Sequence, residues 1–292
     1  WYMLASVPGE DNHRFSIPKG KKNMRKFLFT LWNAYYFFTL YANIDRFTPQ
    51  PGTLLATTLL DDWIISELNR LIAGVTKAID GYNPTLAARQ IESFVDDLSN
   101  WYVRRSRRRF WKSANDADKL AAHSTLYQCL VTLSQLLAPL TPFMAEELYQ
   151  NLVRSVDPKV KESVHLTNFP IADKAKIDEK LNSDVKFAMK IASLGRAARA
   201  KAGIKVRQPL EKAAVKLESK EESEALDRLA TEVMEEINIK EIVILTADSY
   251  QLKAFRDMPG YSIASDAKYW VAVSTELTPE LVAEGLSREI VR

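Results

Sequence analysis

The 292-residue sequence predicts a mainly α-helical fold, an antiparallel helix bundle followed by a small α+β module. Through residues 19–155, apolar side chains recur at helical spacing and strand signals are almost missing. From residue 178 onward, helical stretches alternate with β-branched, strand-like ones. We therefore expect two structural modules of different kinds, with the turn-rich residues 156–177 as a linker between them.

Long helices with short connections build the first module. Turn residues such as "DGYNP" (80–84) separate them, and Thr141 with Pro142 is a helix-start signal. Such short connections favour antiparallel neighbours in a bundle. The helices are recognised by "MRKFLFTLWNAYYFFTLYANI" (24–44), by the stripe from Ile64 to Ile79, by the run into the arginines near 104, by the stripe from Leu126 to Leu137, and by "MAEELYQNLV" (144–153).

The second module, residues 178–292, has two or three predicted strands. A helix over 178–202 precedes the first strand, and an acidic helix over 222–237 precedes the second. Thr278 as N-cap and Pro279 at the first helical position predict a last helix. The predicted strands are 211–219, 239–247 and 268–275.

Composition excludes several classes of function. No apolar run approaches the roughly 20 residues that span a bilayer, so we expect no membrane partner. The single cysteine, Cys129, excludes an internal disulfide and a cysteine-cluster zinc site, and its apolar setting predicts a buried, inert thiol. The three histidines lack metal-ligand spacing, and His123 lies on an apolar stripe. We expect no cofactor, metal or catalytic residue.

The ends of the sequence resemble cut ends. The chain opens on Trp1, inside an apolar element, and its last helix has a start signal but no stop signal. Neither a signal peptide nor a transit peptide opens it. We expect a fragment of a larger, cytoplasmic protein.

Charge is distributed unevenly, although the formal net charge is only +3. Residues 101–112 carry six basic groups and no acid. Residues 180–212 carry nine basic groups against two acids, and residues 218–241 carry nine acids against three basic groups. Local basic surfaces of this kind attract polyanions more than the overall charge does.

The stretch "LSNWYVRRSRRRFW" (98–111) concentrates this charge on one predicted helix. A helical wheel places Arg105 and Arg109 on the core stripe, where an arginine usually pairs with a carboxylate of a neighbouring helix. Glu146 and Glu147 are candidate partners. The wheel places Arg104, Arg108 and Trp111 together on one flank, and Arg107 on the back with Val103.

The flank admits two interpretations. Arg104 and Arg108 are like charges at i,i+4, which is unfavourable unless an external anion lies between them. Guanidinium groups suit phosphate oxygens, and an indole such as Trp111 can stack on an unpaired base. The alternative is a solvated arginine surface without a ligand.

These residues resemble the C-terminal part of isoleucyl-tRNA synthetases. The resemblance covers nearly the whole chain, from "WYMLASVPGEDNHRFS" (1–16) through "LAPLTPFMAEELYQNL" (137–152) to "ARAKAGIKVRQPL" (198–210) and "LTPELVAEGLSREIVR" (277–292). Valyl and leucyl relatives share the bundle, but the last two stretches favour the isoleucyl family. Neither the HIGH nor the KMSKS signature of the family's catalytic domain is present.

The resemblance implies a class Ia anticodon-binding bundle and part of a C-terminal extension. Residues 1–18 would then end the segment that connects to the catalytic domain, and residues 19–155 would form the bundle. The larger protein would ligate isoleucine to its tRNA with ATP and magnesium. This module would be covalently joined to the catalytic domain in the same polypeptide. The expected tRNA-binding residues are Arg104, Arg107, Arg108, Arg109, Trp111 and Lys112, with a possible further track through Arg196, Arg199, Lys201 and Lys205.

Alternatives to this function stay open at the level of the sequence. The basic residues of the helix within 180–212 can equally form a solvated helix face. The module can instead brace a synthetase or dock other proteins through the acidic residues 218–241, or it can be the equivalent part of a valyl-tRNA synthetase.

Overall fold

The computed structural model describes residues 1–6, 16–49, 57–111, 116–245 and 259–290, with side chains up to residue 288. The chain divides into two compact units, residues 1–179 and residues 180–292. The first is helical and the second combines helices with a four-stranded sheet, so the predicted fold class is confirmed.

The first unit is a set of packed helices, several of them joined by π-helical turns. The turn Met24–Leu28 joins α2 to α3, Leu98–Val103 joins α5 to α6, and Gln150–Arg154 extends α8. The helices are α1 (Tyr2–Ser6), α2 (Ile17–Asn23), α3 (Phe29–Ile44), α4 (Leu59–Asp80), α5 (Pro84–Asp97), α6 (Arg104–Trp111), α7 (Asp116–Leu137) and α8 (Pro142–Tyr149).

Local sequence signals explain where these helices begin. The Thr58 hydroxyl accepts a hydrogen bond from Asp61 N, and the Asp61 carboxylate accepts one from Thr58 N at 2.8 Å, which is a complete capping box for α4. Helix α5 begins at Pro84, with Asn83 Oδ1 accepting from Leu86 N at 2.9 Å. Helix α8 begins at Pro142 as predicted.

The apolar stripes that predict the helices form the core. Ile64, Leu68 and Val75 of α4 are at most 1% exposed, and the α7 stripe from Leu126 to Leu137 is fully buried. Each buried side chain of this size contributes about 1.5–3 kcal/mol relative to leaving it exposed. Helix α4 packs on α5 and α7, and α7 packs on α8.

The predicted linker, residues 156–177, lies within the first unit. Asp173 N donates to Asn69 Oδ1 at 2.9 Å, and Ser163 Oγ donates to Glu146 Oε2 at 2.8 Å. These bonds attach the segment to α4 and α8. Residues 156–177 therefore pack against the helices of the first unit and do not link the two units. The first unit ends at residue 179.

The second unit alternates helices and strands. Its elements are α9 (Glu179–Lys201, of which all but the first residue belongs here), β1 (Leu210–Lys216), α10 (Lys220–Arg228), α11 (Ala230–Ile237), β2 (Ile239–Leu245), β3 (Tyr261–Ser265), β4 (Trp270–Ser274) and α12 (Pro279–Ile290). The strand order is β2-β1-β4-β3. Strands β1 and β2 are parallel, with α10 and α11 in their crossover, and the other two pairs are antiparallel.

Two details of this unit differ from the prediction. Strand β3 was not expected, because five residues reading YSIAS carry little β-branched or alternating signal. The acidic helix is divided in two at Leu229, which leaves helical geometry with φ −111° and ψ 15°. Leu226, Leu229 and Val233 are all buried, so the break serves the core.

Among the described residues, no helix combines the length and the apolarity needed to cross a bilayer.

Candidate nucleic-acid interface

Helix α6 presents one exposed basic surface. Arg104, Arg107, Arg108 and Trp111 are all exposed, and their spacing of i, i+3, i+4 and i+7 places them on one face of a helix. We call these residues the arginine face. Trp111 is 50% exposed, which leaves much of its indole open to a stacking partner.

A π-helical turn sets the direction of this face. The turn at Leu98–Val103 adds a residue to the helical turn and rotates the residues after it relative to α5. Arg107 is exposed, as its predicted placement on the back of the helix implies, but Val103, which was predicted to lie there with it, is buried. The buried residues of α6 are Ser106 and Phe110. The predicted grouping of Arg104, Arg108 and Trp111 is confirmed.

Arg109 serves the inside of the bundle. Its Nη1 and Nη2 atoms donate to both oxygens of Asp61 at 2.9 and 2.8 Å, and its Nε donates to Asp118 Oδ1 at 2.8 Å. One guanidinium thereby joins α6 to the N-terminus of α4 and to α7. The Arg109 side chain is only 14% exposed, so it does not belong to the arginine face.

The prediction that Arg109 pairs with a carboxylate is confirmed, but the proposed partners are wrong. Glu146 accepts hydrogen bonds from Ser163 and Val164, and Glu147 accepts one from Asn151. Arg105, the other arginine on the predicted stripe, is half-buried.

Asp61 lies at the centre of this cluster of ion pairs and hydrogen bonds. Burial by itself would raise the pKa of the carboxyl group, but the hydrogen bonds and charge of Arg109, with a hydrogen bond from Tyr102, lower the pKa below its ordinary value of 3.8. Tyr102 Oη donates to Asp61 Oδ1 at 2.6 Å. Burial raises the pKa of Tyr102, so the phenol stays a donor to the ionised carboxylate.

Aromatic side chains of α3 lie beneath the arginine face. Arg107 lies over the Phe37 ring at 6.0 Å from its centroid, and Phe37 meets the buried Phe110 edge-on at 5.0 Å. Tyr41 meets Trp111 edge-on at 6.2 Å. Arg107 and Trp111 therefore pack against aromatic rings of α3, which limits the entropy that these two side chains lose when they bind a ligand.

His123 is a core histidine, as predicted. It is 1% exposed, and its Nε2 lies 2.9 Å from Asp45 Oδ2. Burial lowers the pKa of the imidazole despite the neighbouring carboxylate. Cys129 is also buried, and burial raises the pKa of its thiol. No group of three or more potential metal ligands occurs among the residues with described positions.

The further basic track divides within the second unit. Lys201 and Lys205 are exposed, whereas Arg196 forms an ion pair with Glu236. Arg199 is completely buried and donates to backbone carbonyl oxygens, so its guanidinium cannot contact an RNA at the surface. Lys112, the last expected residue of the first cluster, lies outside the described residues.

Ion pairs also use part of the predicted acidic docking surface. Glu222 binds Lys268 and accepts a hydrogen bond from Tyr269 Oη at 3.0 Å. Glu236 binds Arg196. The acidic stretch therefore contributes to the internal structure of the module.

Comparison with known proteins gives concordant matches. The family described as "Anticodon-binding domain of tRNA ligase" matches residues 61–215. The whole chain aligns with isoleucine–tRNA ligases from two strains of Dehalococcoides mccartyi at 52% and 53% identity, and 99% of it aligns with that of Thermus thermophilus at 42%. The chain spans 28% of the length of the Dehalococcoides proteins and 27% of the Thermus protein.

Proposed function

Because the chain belongs to the family of anticodon-binding domains of tRNA ligases, we propose that it binds the anticodon stem-loop of isoleucine tRNA through the arginine face of α6. The observation that carries the proposal is the exposure of Arg104, Arg107 and Arg108 beside Trp111 on one helix face. Cations supply contacts to phosphates, and the indole supplies a stacking platform for an unpaired base.

The specificity for isoleucine tRNA rests on the relatives. Their printed name is isoleucine–tRNA ligase, and their identity to this chain is 42–53% over nearly its full length. Ligation of isoleucine with ATP and magnesium, and attachment of this module to the catalytic part of the same polypeptide, are the corresponding proposals for the longer protein. The chain would contribute tRNA recognition to that reaction, and it would work in the cytoplasm.

The spacing of the arginines within α6 suits an anionic ligand. Arg104 and Arg108 lie at i,i+4, so their guanidinium groups can approach the same phosphate. A phosphate bound between them would form charge-assisted hydrogen bonds with both. Arg109 is excluded from the proposed contacts because Asp61 and Asp118 occupy its donors.

Fluorescence anisotropy with labelled isoleucine tRNA tests the proposal across a salt series of about 50–200 mM. The Arg104→Gln/Arg108→Gln variant should lower the slope of log K against log salt by about 1.4–1.8, since each lost phosphate contact removes about 0.7–0.9. Lys21→Gln/Lys22→Gln is the matched control, because both lysines are exposed on α2 and the same charge is lost.

Two further arms test base recognition. A tRNA with a scrambled anticodon should bind several-fold more weakly, and Trp111→Ala should reduce that preference while leaving the salt slope unchanged. Equal slopes for the arginine variant and the lysine control would refute the proposed site. Equal binding of the two tRNAs would refute anticodon recognition by this chain.

A further inference from the structure

The segment between α9 and β1, residues 202–209, is held by its own carbonyl groups. We call it the α9–β1 loop. Arg199 Nη2 donates to Lys205 O at 2.6 Å and also to Gln208 O. Asn238 Nδ2 donates to Val206 O at 2.8 Å and to Arg207 O at 3.0 Å. The carbonyl groups of residues 205–208 are thus all bound by Arg199 and Asn238.

The two residues that bind these carbonyls are themselves fixed. Arg199 is fully buried, and its Nη1 donates to Ile237 O at 3.0 Å. Asn238 has a left-handed backbone with φ 51°, a conformation that asparagine tolerates better than most residues. The side-chain contacts of Arg199 among the described residues are backbone carbonyls, so no carboxylate neutralises its charge directly.

Helix α12 secures the loop from a second side. Gln208 Nε2 donates to Leu281 O at 2.7 Å, and Arg288 Nη1 donates to Asn238 Oδ1 at 2.8 Å. A Cβ atom on Gly285 would lie 2.3 Å from Gln208 Oε1, so a larger residue there would displace the Gln208 amide. The sequence stretches 198–210 and 277–292, which carry the resemblance at the C-terminal end, are therefore in direct contact.

Cationic side chains cover the exposed side of the loop. Lys205 and Arg207 are both exposed. Arg288 lies beside the loop through its bond to Asn238, and Lys240 shares the carboxylate of Glu284 with it. One carboxylate against two cations leaves an excess positive charge next to Lys205 and Arg207.

We propose that the α9–β1 loop binds the phosphate backbone of RNA through Lys205 and Arg207, with Arg199 and Asn238 as positioning residues. The proposal deepens the proposed function and rests on it, because the RNA would be the same tRNA. Phosphodiester groups fit the loop because guanidinium and ammonium donors bind them without a shaped pocket. A loop already fixed by four carbonyl contacts loses little conformational entropy on binding.

Two variants separate contact from positioning. Lys205→Gln/Arg207→Gln removes both charges and should lower the salt slope of tRNA binding by about 1.4–1.8. Asn238→Gly keeps the left-handed backbone but removes the bonds to Val206 O and Arg207 O and the acceptor of Arg288 Nη1. It should weaken tRNA binding several-fold under conditions in which circular dichroism shows that the chain is still folded, because glycine readily adopts positive φ.

Anisotropy on the 292-residue chain, with Lys21→Gln/Lys22→Gln as control, distinguishes the outcomes. One outcome is that Arg104→Gln/Arg108→Gln (the α6 variant) lowers the salt slope of tRNA binding while Lys205→Gln/Arg207→Gln (the loop variant) matches the control. The loop proposal is then overturned and the proposed function stands. If the loop variant lowers the salt slope and the α6 variant does not, the α6 site is overturned instead. A parent chain that binds no tRNA overturns both.

Competition supplies the last arm. Polyglutamate that binds the parent but not Lys205→Gln/Arg207→Gln, and that tRNA fails to displace from the parent at equal ionic strength, would identify the loop as a site for acidic protein and overturn the RNA assignment. Preserved binding by Asn238→Gly, with a loss only in Lys205→Gln/Arg207→Gln, would overturn the positioning role.

Discussion

Replacing Arg109 should reduce the stability of the protein, whereas replacing its neighbour Arg108 should reduce tRNA binding. Arg109→Ala removes the partner of a carboxylate, Asp61, that is completely buried. Breaking a buried ion pair from one side costs about 3–5 kcal/mol, because the remaining charge is left uncompensated. Arg108 is exposed, so Arg108→Ala should change stability by no more than about 0.5 kcal/mol.

Urea denaturation at pH 7, followed by circular dichroism, measures this difference. At about 2–4 °C per kcal/mol for a unit of this size, Arg109→Ala should also lower the melting temperature by about 10 °C. Asp61→Asn in the Arg109→Ala background should recover part of the loss, since it removes the unpaired charge. In tRNA binding the order reverses: Arg108→Ala lowers the salt slope by about 0.7–0.9, and Arg109→Ala leaves it unchanged.

The stability that the Arg109–Asp61 pair contributes should depend on pH in a defined direction. The folded-state pKa of Asp61 is lowered, so the unfolded state binds more protons around that pKa. The stabilisation is present above the ordinary value of 3.8 and is lost as pH falls through the folded-state pKa. In Arg109→Ala, only the hydrogen bonds from Tyr102 and Thr58 still oppose the effect of burial, so the pKa of Asp61 rises relative to the parent and the variant gains relative stability on acidification.

The gap between parent and Arg109→Ala should accordingly be largest near neutral pH and should narrow toward pH 4. A variant as stable as Arg108→Ala at pH 7, or a gap that widens on acidification, would show that the Arg109–Asp61 pair does not stabilise the bundle.

Other replacements probe the packing around the two candidate surfaces. Gly195→Ala places a Cβ 2.7 Å from the Ile237 side chain, and this overpacking should cost about 1–3 kcal/mol in urea denaturation; an unchanged midpoint would contradict the close approach. Tyr102→Phe removes the 2.6 Å hydrogen bond to Asp61 and should cost about 1.5–3 kcal/mol, with binding of tRNA per folded molecule unchanged. Cys129 is buried and its pKa is raised, so a thiol reagent should label it only as fast as the first unit opens; rapid labelling of the native chain would refute its burial.

Much of the fold could be predicted because local signals agree with the packing. The stripes of α4 and α7 are buried, and Thr141–Pro142 marks the start of α8 as expected. Strand β3 escaped prediction because its stability comes from pairing with β4 along its whole length, which is a non-local contact. The attachment of residues 156–177 to the helices likewise depends on partners far along the chain, such as Asn69.

The candidate site was predicted less completely, for a geometric reason. A helical wheel assumes a constant rotation per residue, and the π-helical turn before Arg104 violates it. The wheel therefore grouped Arg104 with Arg108 correctly, within one helix, but it placed the buried Val103 on the exposed back and could not identify Asp61 as the partner of Arg109. Charge counting had the same limit in the second unit, since it could not separate the buried Arg199 from the exposed Lys205.

Both basic stretches follow one structural principle. In each stretch, one arginine binds groups inside the protein, and the neighbouring basic side chains are exposed to solvent. Arg109 binds carboxylates that join three helices, and Arg199 binds the carbonyl groups of the α9–β1 loop. An arginine fixed in this way holds the backbone beside it, which limits the freedom of the exposed cations at 107–108 and 205–207. Arg109 therefore holds the basic end of α6 to α4 and α7, and the exposed arginines beside it are positioned to bind a phosphate.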